Sequence, residues 1–313
     1  MTQAVLPPQI PIAEALKGDP SRRRRENVIR RLFLGAAAVS VLISAAIVFS
    51  LIGRAVTFIT SVDLGALWTS GWFPRRDLYD IKTIVMGTLI VSLIAMIVAI
   101  PLGLGSAVYL SEYARPRVRR LLRPVLEILA GIPSVVLGFF AITFISPQIV
   151  ERLIPGASFF NMMAAGIGVG VLVTPLIASI SEDAMRAVPA SLREAAYGVG
   201  ARKRTVAAKV VFPAAISGIV ASIIVGVSRA IGETMVVAIA AGATGGALFQ
   251  LDPSQPGQTM TAAMTALAIG SDQVKGGELT FESLFFVGFL LFALTLVLNI
   301  MSERFVRRVR EKY

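Results

Sequence analysis

The sequence predicts an all-α integral membrane protein with six transmembrane helices. Hydrophobic residues make up 55% of the chain, and the mean hydropathy is +0.76. The apolar residues are clustered in runs that are longer than the elements of a soluble core require. About 20 helical residues at about 1.5 Å each cross roughly 30 Å of hydrocarbon, and six of the runs reach or approach that length.

Charged or proline-containing segments separate the runs and give each predicted span its bounds. The spans are Leu32–Val56, Ile84–Leu110, Val125–Val150, Met162–Ile180, Ala214–Ala241 and Leu284–Met301. We expect a flexible basic tail over residues 1–31, an extracytoplasmic segment over 57–83, a core of five spans over 84–301 and a basic tail over 302–313. Arg22–Arg25 precede the first run, but that run is too long for a cleavable signal, so we predict a retained helix.

The distribution of positive charge predicts the orientation. Most of the 30 Lys and Arg residues fall in the two tails and in the loops after the second and fourth spans. Because short cytoplasmic loops retain positive charge during insertion, both termini are expected in the cytoplasm. This asymmetry also accounts for the net charge of +11, so the charge does not indicate a nucleic-acid partner.

Two absences in the sequence restrict the chemistry. The chain has no Cys and no His, which excludes disulfides, thiolate nucleophiles, imidazole catalysis and the commonest metal ligands. It also lacks a GxxxxGK[ST] sequence that would hold ATP phosphates. We therefore predict no cofactor, no metal site and no enzymatic activity. A membrane enzyme with Glu127 or Glu233 as general base is disfavoured because no second convergent catalytic group is visible.

The two long extracytoplasmic segments have different compositions. Trp68, Trp72 and Phe73 in the first suit the membrane interface, and a binding surface is the alternative. The segment Gly242–Ser283 contains an apolar stretch that suits either a re-entrant helix or a surface helix over the outer mouth.

The loop between the fourth and fifth spans predicts a pair of short cytosolic helices. Pro189 suits the first turn of a helix that Gly198 or Gly200 ends, and a second helix is expected from Thr205 until Pro213 interrupts it. Within the first helix, two alanines permit another surface to approach closely, and Arg193 and Glu194 are expected to supply charge at that contact. The alternative is a solvated loop that contacts no other protein.

The same loop carries a family pattern. Glu194-Ala195-Ala196, then Gly200, then Val210-Val211-Phe212-Pro213 resembles the EAA loop of ABC importer permeases. That pattern ordinarily ends in Ile-x-Leu-Pro, so Val210 and Phe212 depart from it while remaining apolar. Four further stretches resemble the PstC family of phosphate-importer permeases, whose sister family PstA shares some of them. They are residues 99–105, 109–114, 130–140 and 229–235.

The resemblance implies a type I importer with a MetI-like permease fold in the bacterial inner membrane. A PstC-like and a PstA-like permease would form the pore, two copies of a PstB-like ATPase would bind beneath, and a PstS-like protein would deliver phosphate. The EAA helix of such permeases sits in a cleft of the ATPase. The ATPase-coupling residues that this implies are Glu194, Ala195, Ala196, Gly200 and Pro213.

Two charged residues in the fifth span are candidates for the translocation path. Arg229 and Glu233 are four residues apart and share a helical face, and a charge at this depth costs at least about 2.5 kcal/mol. Guanidinium offers a fork of donors for phosphate oxygens, although a buried ion pair that only fixes helix packing is the alternative. The predicted path residues are Arg229, Glu233, Thr234, Gly131, Pro133 and Ser134.

The sequence leaves other functions open. A permease for another oxyanion, such as sulfate or molybdate, would use the same loop in the same way. A membrane scaffold that signals phosphate status is a second alternative from a different functional class.

Overall fold

The computed structural model describes residues 20–69, 71–242, 245–269 and 279–309. The chain divides into one unit up to Leu51 and a second unit from Ile52 onward. In the first unit, the described chain is a single helix with exposed apolar side chains. This helix, α1, begins at Pro20 and continues to Ser61, so residues 20–31 of the predicted flexible tail are helical. Residues 1–19 of that tail lie outside the described residues.

Five helices in the described chain are long and apolar enough to cross a membrane, and the number is six if the bent pair Lys203–Ala214 and Ile216–Ile231 forms one span. This agrees with the predicted number of spans. The helices, in chain order, are α1, α2 (Ile81–Tyr113), α3 (Pro116–Ala130), α4 (Ser134–Leu153), α5 (Met162–Arg186), α6 (Ala190–Gly198), α7 (Lys203–Ala214), α8 (Ile216–Ile231), α9 (Met235–Ala240), α10 (Met260–Ile269) and α11 (Leu279–Val309).

The predicted third and fifth spans are both interrupted. The third breaks at Gly131–Pro133, because Pro133 lacks a backbone donor and disfavours helical geometry at the residue before it. The fifth begins after a 69° bend between α7 and α8, and it stops at Ile231 before α9 starts. The break at Gly131–Pro133 agrees with the expectation that Pro133 kinks or breaks its helix, whereas the break after Ile231 was not expected.

The fourth and last helices extend beyond their predicted ends. Helix α5 continues past Ile180 to Arg186, so its final turns carry charged residues. Helix α11 starts at Leu279 and continues to Val309, which makes most of the predicted C-terminal tail helical. Residues 310–313 lie outside the described chain.

A small antiparallel sheet joins the segment between α1 and α2 to the segment between α9 and α10. Strands β1 (Gly71–Phe73), β2 (Leu78–Tyr79) and β3 (Ala247–Leu248) pair in the order β2-β1-β3. Trp72 faces Tyr79 across the first pair, and both are buried, so the prediction that Trp72 lies at the membrane interface is wrong. Burial raises the pKa of Tyr79 to about 12, and the hydrogen bond to Asp77 adds to the shift.

The largest buried cluster joins α2, α4, α5, α8 and α9. Helices α2 and α5 pack closely because glycines face the contact. A Cβ on Gly166 would lie 2.7 Å from Ile94, and one on Gly170 would lie 2.8 Å from the carbonyl oxygen of Ala95. Small residues of this kind allow two helix backbones to approach in a membrane.

Candidate functional site

Helix α6 presents a small exposed surface at one end of the helical core. Glu194 and Ala195 are exposed, whereas Leu192 and Ala196 pack against a buried apolar cluster. The members of that cluster come from α2, α5, α7, α8 and the connections between them: Ala107, Met185, Val188, Val206, Val211, Ala215 and Ile219. The predicted residues of the Glu-Ala-Ala stretch therefore divide between an outward side and a packed side.

A Schellman motif ends α6 and explains Gly200. The backbone N–H of Ala201 donates to the carbonyl oxygen of Ala196 at 3.0 Å, and that of Gly200 donates to Tyr197 at 2.9 Å. Gly200 has a φ of +80°, in the left-handed region that favours glycine. No atom lies within 4 Å of the position that a Cβ would take, so backbone conformation alone requires glycine here.

Two exposed apolar residues beside the motif were not singled out in the sequence. Val199 is 86% exposed, and Tyr197 is also exposed. Apolar side chains on a short basic loop are the signal that could have identified them, because interfaces are enriched in such groups. Together with Glu194, Ala195 and Gly200 they form what we call the α6 surface.

Arg193 does not lie on the α6 surface, contrary to the prediction that it supplies charge there. Its guanidinium turns toward the membrane helices, where Nη2 lies 3.2 Å from Oε1 of Glu112. The same group donates to the carbonyl oxygens of Met185 at 2.8 Å and Val188 at 2.6 Å. The two neighbours Arg193 and Glu194 therefore face opposite ways.

Pro213 is the last residue but one of α7, so the helix ends one residue after the predicted interruption. The stretch before it, Ala207–Val211, is π-helical, a geometry that accommodates the donor missing from proline. The chain changes direction just after, at Ala215, where α7 and α8 meet at 69°. Pro213 is therefore near the bend and not at it.

Arg229 and Glu233 lie within ion-pair distance, but α8 ends at Ile231, so the prediction that they share a helical face is wrong. Nη2 of Arg229 lies 3.8 Å from Oε2 of Glu233; 57% of the arginine side chain and 5% of the glutamate side chain is exposed. Glu233 lies beyond the end of α8, in the break before α9, and its Oε1 accepts from the backbone N–H of Val236 at 3.4 Å. The guanidinium is therefore held by a buried carboxylate and remains accessible.

The other predicted path residues lie at two helix breaks. Gly131 and Pro133 precede α4, and Thr234 follows the end of α8 and precedes α9. Helices α4 and α9 pack together, with Gly138 against Ile239. Both breaks thus lead into packed helices, and Gly131 and Pro133 are exposed.

Thr261 was missed by the sequence reasoning and belongs beside Glu233. Its hydroxyl donates to the carbonyl oxygen of Glu233 at 2.8 Å, which satisfies a backbone group freed by the helix break. Thr261 lies in the first turn of α10, and the N–H of Met260 donates to the hydroxyl of Thr88 in α2 at 3.0 Å. Helix α10 is the apolar stretch for which the sequence left two placements open.

A charged network joins α3 to the end of α5. Glu182, whose side chain is 1% exposed, pairs with Arg119 at 2.5 Å. Arg123 lies within 3.5 Å of both Glu127 and Asp183. A cavity of about 550 Å³ lies beside this network and is lined by Pro116, Arg119, Arg120, Arg123, Pro124, Glu127 and Arg186. Glu182 was overlooked because the predicted span ended at Ile180.

The described residues contain no group of three or more His, Cys, Asp or Glu side chains that could hold a metal ion. The polar groups of the site are instead a guanidinium, a carboxylate, hydroxyls and freed backbone groups. Such groups can bind an anion transiently through hydrogen bonds and charge.

Comparison with known families matches residues 99–311 to the family described as "Binding-protein-dependent transport system inner membrane component". The "Phosphate transport system permease protein PstC" of Pasteurella multocida is 30% identical over 87% of this chain and 88% of its own. "Phosphate transport system permease protein PstC 1" of Mycobacterium tuberculosis is 34% identical over 75% of each chain. The "Probable ABC transporter permease protein YqgH" of Bacillus subtilis is 29% identical over 96% of this chain and 94% of its own.

Solved structures share the fold at lower identity. A chain of a bacterial ABC transporter involved in the import of the acidic polysaccharide alginate is 14% identical, with a TM-score of 0.63 over 92% of this chain and 100% of its own. A chain of the MetNI methionine ABC transporter in an inward-facing conformation is 20% identical, with a TM-score of 0.52 over 74% of this chain and 94% of its own. The predicted importer-permease fold is thereby confirmed.

Proposed function

Since this chain belongs to the family of binding-protein-dependent transport system inner membrane components, we propose that it is the permease subunit of an ATP-driven phosphate importer. The support for phosphate is the similarity to phosphate permeases over most of the chain, together with the accessible guanidinium of Arg229. That guanidinium is the single structural observation that carries the proposal. The chain itself would be non-catalytic.

The substrate path would pass the Arg229–Glu233 pair. Phosphate near neutral pH is an anion, and a planar guanidinium can bind two of its oxygens at once. Glu233 would hold Arg229 in position and limit how tightly the anion binds, because a pore must release what it admits. Thr234, Gly131, Pro133 and Ser134 would line the path at the two helix breaks, where backbone groups are available.

Coupling to ATP would occur through the α6 surface and its supporting residues. In this proposal, a PstB-like ATPase dimer binds the residues Glu194, Ala195, Ala196 and Gly200. Pro213 lies near the end of α7, through which movement of α6 would reach the bend. A second, PstA-like permease would complete the pore, and a PstS-like protein would deliver phosphate. Both termini would be cytoplasmic, in keeping with the distribution of Lys and Arg residues.

The proposal is tested by reconstituting the complete transporter in vesicles and measuring uptake of labelled phosphate with and without ATP. We expect uptake that requires ATP and that excess sulfate or molybdate does not suppress. Suppression by either would identify a different oxyanion as the substrate. Activity without the ATPase subunit would contradict the proposal.

The variant Arg229→Gln tests the path. It removes the charge that binds phosphate, so we expect uptake to fall by about tenfold or more, the effect of losing roughly 1.4 kcal/mol. Arg54→Gln is the matched control, because Arg54 also pairs with a glutamate, Glu282 at 3.7 Å, in another helix of the core. Equal loss in both variants, or no loss in the first, would argue against Arg229 as a path residue.

A further inference from the structure

We propose that Arg193 is the positioning residue through which movement of α6 reaches the transmembrane helices α2 and α5. This inference rests on the proposed function, because it assumes that an ATPase moves α6. Its experiment is chosen so that the two can fail separately. The residue differs from its neighbour Glu194, which lies on the α6 surface and faces outward.

The guanidinium of Arg193 contacts two membrane helices at once. Nη2 lies 3.2 Å from Oε1 of Glu112, in the last turn of α2. Nη1 and Nη2 donate to the carbonyl oxygens of Val188 at 2.6 Å and Met185 at 2.8 Å. Met185 belongs to the last turn of α5, and Val188 lies two residues past the end of that helix. One side chain of α6 thus holds the ends of both helices.

The oxygens that contact Arg193 are all stabilised by a nearby positive charge. The last carbonyl groups of a helix have no partner within the helix, and a positive charge near that end is favourable. The Glu112 side chain is largely buried, and the hydroxyl of Ser111 donates to the same Oε1 at 2.8 Å. Water screens this ion pair less than it would an exposed one.

Glu112 lies in a π-helical turn, Tyr109–Tyr113, that ends α2. Turns of this type are rare and are frequently found at functional sites. Here the turn places the carboxylate beside α6, although Glu112 and Arg193 are far apart in the sequence. The turn therefore supplies the α2 side of the contact.

The remaining described contacts of α6 with the core are apolar and involve small or flexible groups. Leu192 and Ala196 pack against the buried cluster that includes Val188 and Val206. Hydrophobic contact has no preferred direction, so α6 can shift over such a surface with little resistance. A charged hydrogen bond from a planar guanidinium is directional and resists the same shift. Arg193 therefore adds a directional side-chain restraint to the chain connections that join α6 to α5 and α7.

A mechanical consequence follows for coupling. With Arg193 in place, displacement of α6 by the ATPase pulls the ends of α2 and α5 in the same direction. Without it, only the short chain connection and the apolar contacts link α6 to the core, so less of its displacement reaches α2 and α5. ATP hydrolysis would then continue, and less phosphate would be transported for each ATP.

The test uses the complete transporter in vesicles and measures phosphate taken up per ATP hydrolysed. We expect this ratio to fall by about tenfold in Arg193→Glu and in Glu112→Arg, within the range typical of coupling between sites. The double variant restores the attraction but not the carbonyl hydrogen bonds of Arg193. Its ratio is therefore expected to recover in part, above that of either single variant.

A milder variant distinguishes a loss of coupling from a loss of subunit assembly. Glu112→Gln has nearly the same shape and lacks the charge, and its ratio is expected to fall while the subunits still copurify. Arg204→Glu is the matched control, since Arg204 is an exposed cation of the same loop with no ion pair to the described residues. Its ratio is expected to equal that of the unaltered transporter.

Three results would overturn the inference: a normal ratio in an assembled Glu112→Gln transporter, a double variant no better than the worse single variant, or an equal fall in Arg204→Glu. An unaltered transporter that takes up no phosphate with ATP would instead contradict the proposed function. The two failures are therefore distinguishable in one set of measurements.

Discussion

At the scale of single residues, neighbours in the sequence have different tasks because their side chains face different surroundings. Arg193 reaches into the core and Glu194 faces outward, although both were expected at one contact. The sequence could not distinguish them, since the direction of Arg193 depends on Glu112, which the fold brings within 3.2 Å. Gly200 is the opposite case, because the helix end that it makes was predictable from its residue type.

Replacement of Gly200 by alanine is expected to weaken the end of α6. A left-handed backbone costs roughly 1–2 kcal/mol with a Cβ, while the space around the position is open. Faster hydrogen exchange of the α6 amides would report the loss. Gly198→Ala is the matched control: it also meets no atom within 4 Å, and it lies inside the helix, where alanine is favoured. Equal exchange in the two variants would contradict this account of Gly200.

At the scale of elements, ion pairs hold the helix ends that the sequence treated as loops. Helix α3 contacts α5 through Arg119 and Glu182. Hydropathy predicted neither the length of α5 nor this pair, because the final turns of α5 are charged and the partner lies on another segment. The break at Pro133 was predictable from its residue type, whereas the break at Gly232 was not, since tertiary packing decides where a helix ends at glycine.

Glu182→Ala is expected to separate α3 from α5. Removing one partner of a buried ion pair costs about 3–5 kcal/mol, and the Glu182 side chain is 1% exposed. The thermal midpoint of the purified protein should fall clearly. In Asp183→Ala, the matched control, the lost side chain is 58% exposed and its partner within the described residues is Arg123, so we expect a change below about 1 kcal/mol. A similar fall in both would show that burial does not decide the strength of these pairs.

At the scale of the whole molecule, composition and charge were sufficient for the class of protein, while packing set its details. Long apolar runs predicted the spans, and the described chain has five helices long and apolar enough to cross a membrane, plus a bent pair. The Glu-Ala-Ala pattern and the later family match agree on an importer permease. The positions of Thr261 beside Glu233 and of Trp72 in the core required the folded chain, because both depend on segments distant in sequence.

The proposed orientation predicts which positions reagents reach from each side of the membrane. The chain has no cysteine, so single replacements give clean labelling sites. Arg117→Cys in α3 is expected to react with an impermeant maleimide only in inverted vesicles, and Glu151→Cys in α4 only in intact cells. Both residues are exposed, and the many remaining cations keep the charge asymmetry in place. Reaction of both from one side would contradict the orientation.

The 69° bend between α7 and α8 has a consequence for how far the substrate path moves. The bend at Ala215 allows α8 to rotate relative to α7, with Ala215 as the pivot. Displacement in a tilting rod grows with distance from its pivot. Arg229 lies near the end of α8 that is farther from Ala215. We therefore expect a small rotation of α8 at the bend to displace the Arg229 guanidinium more than any residue closer to Ala215.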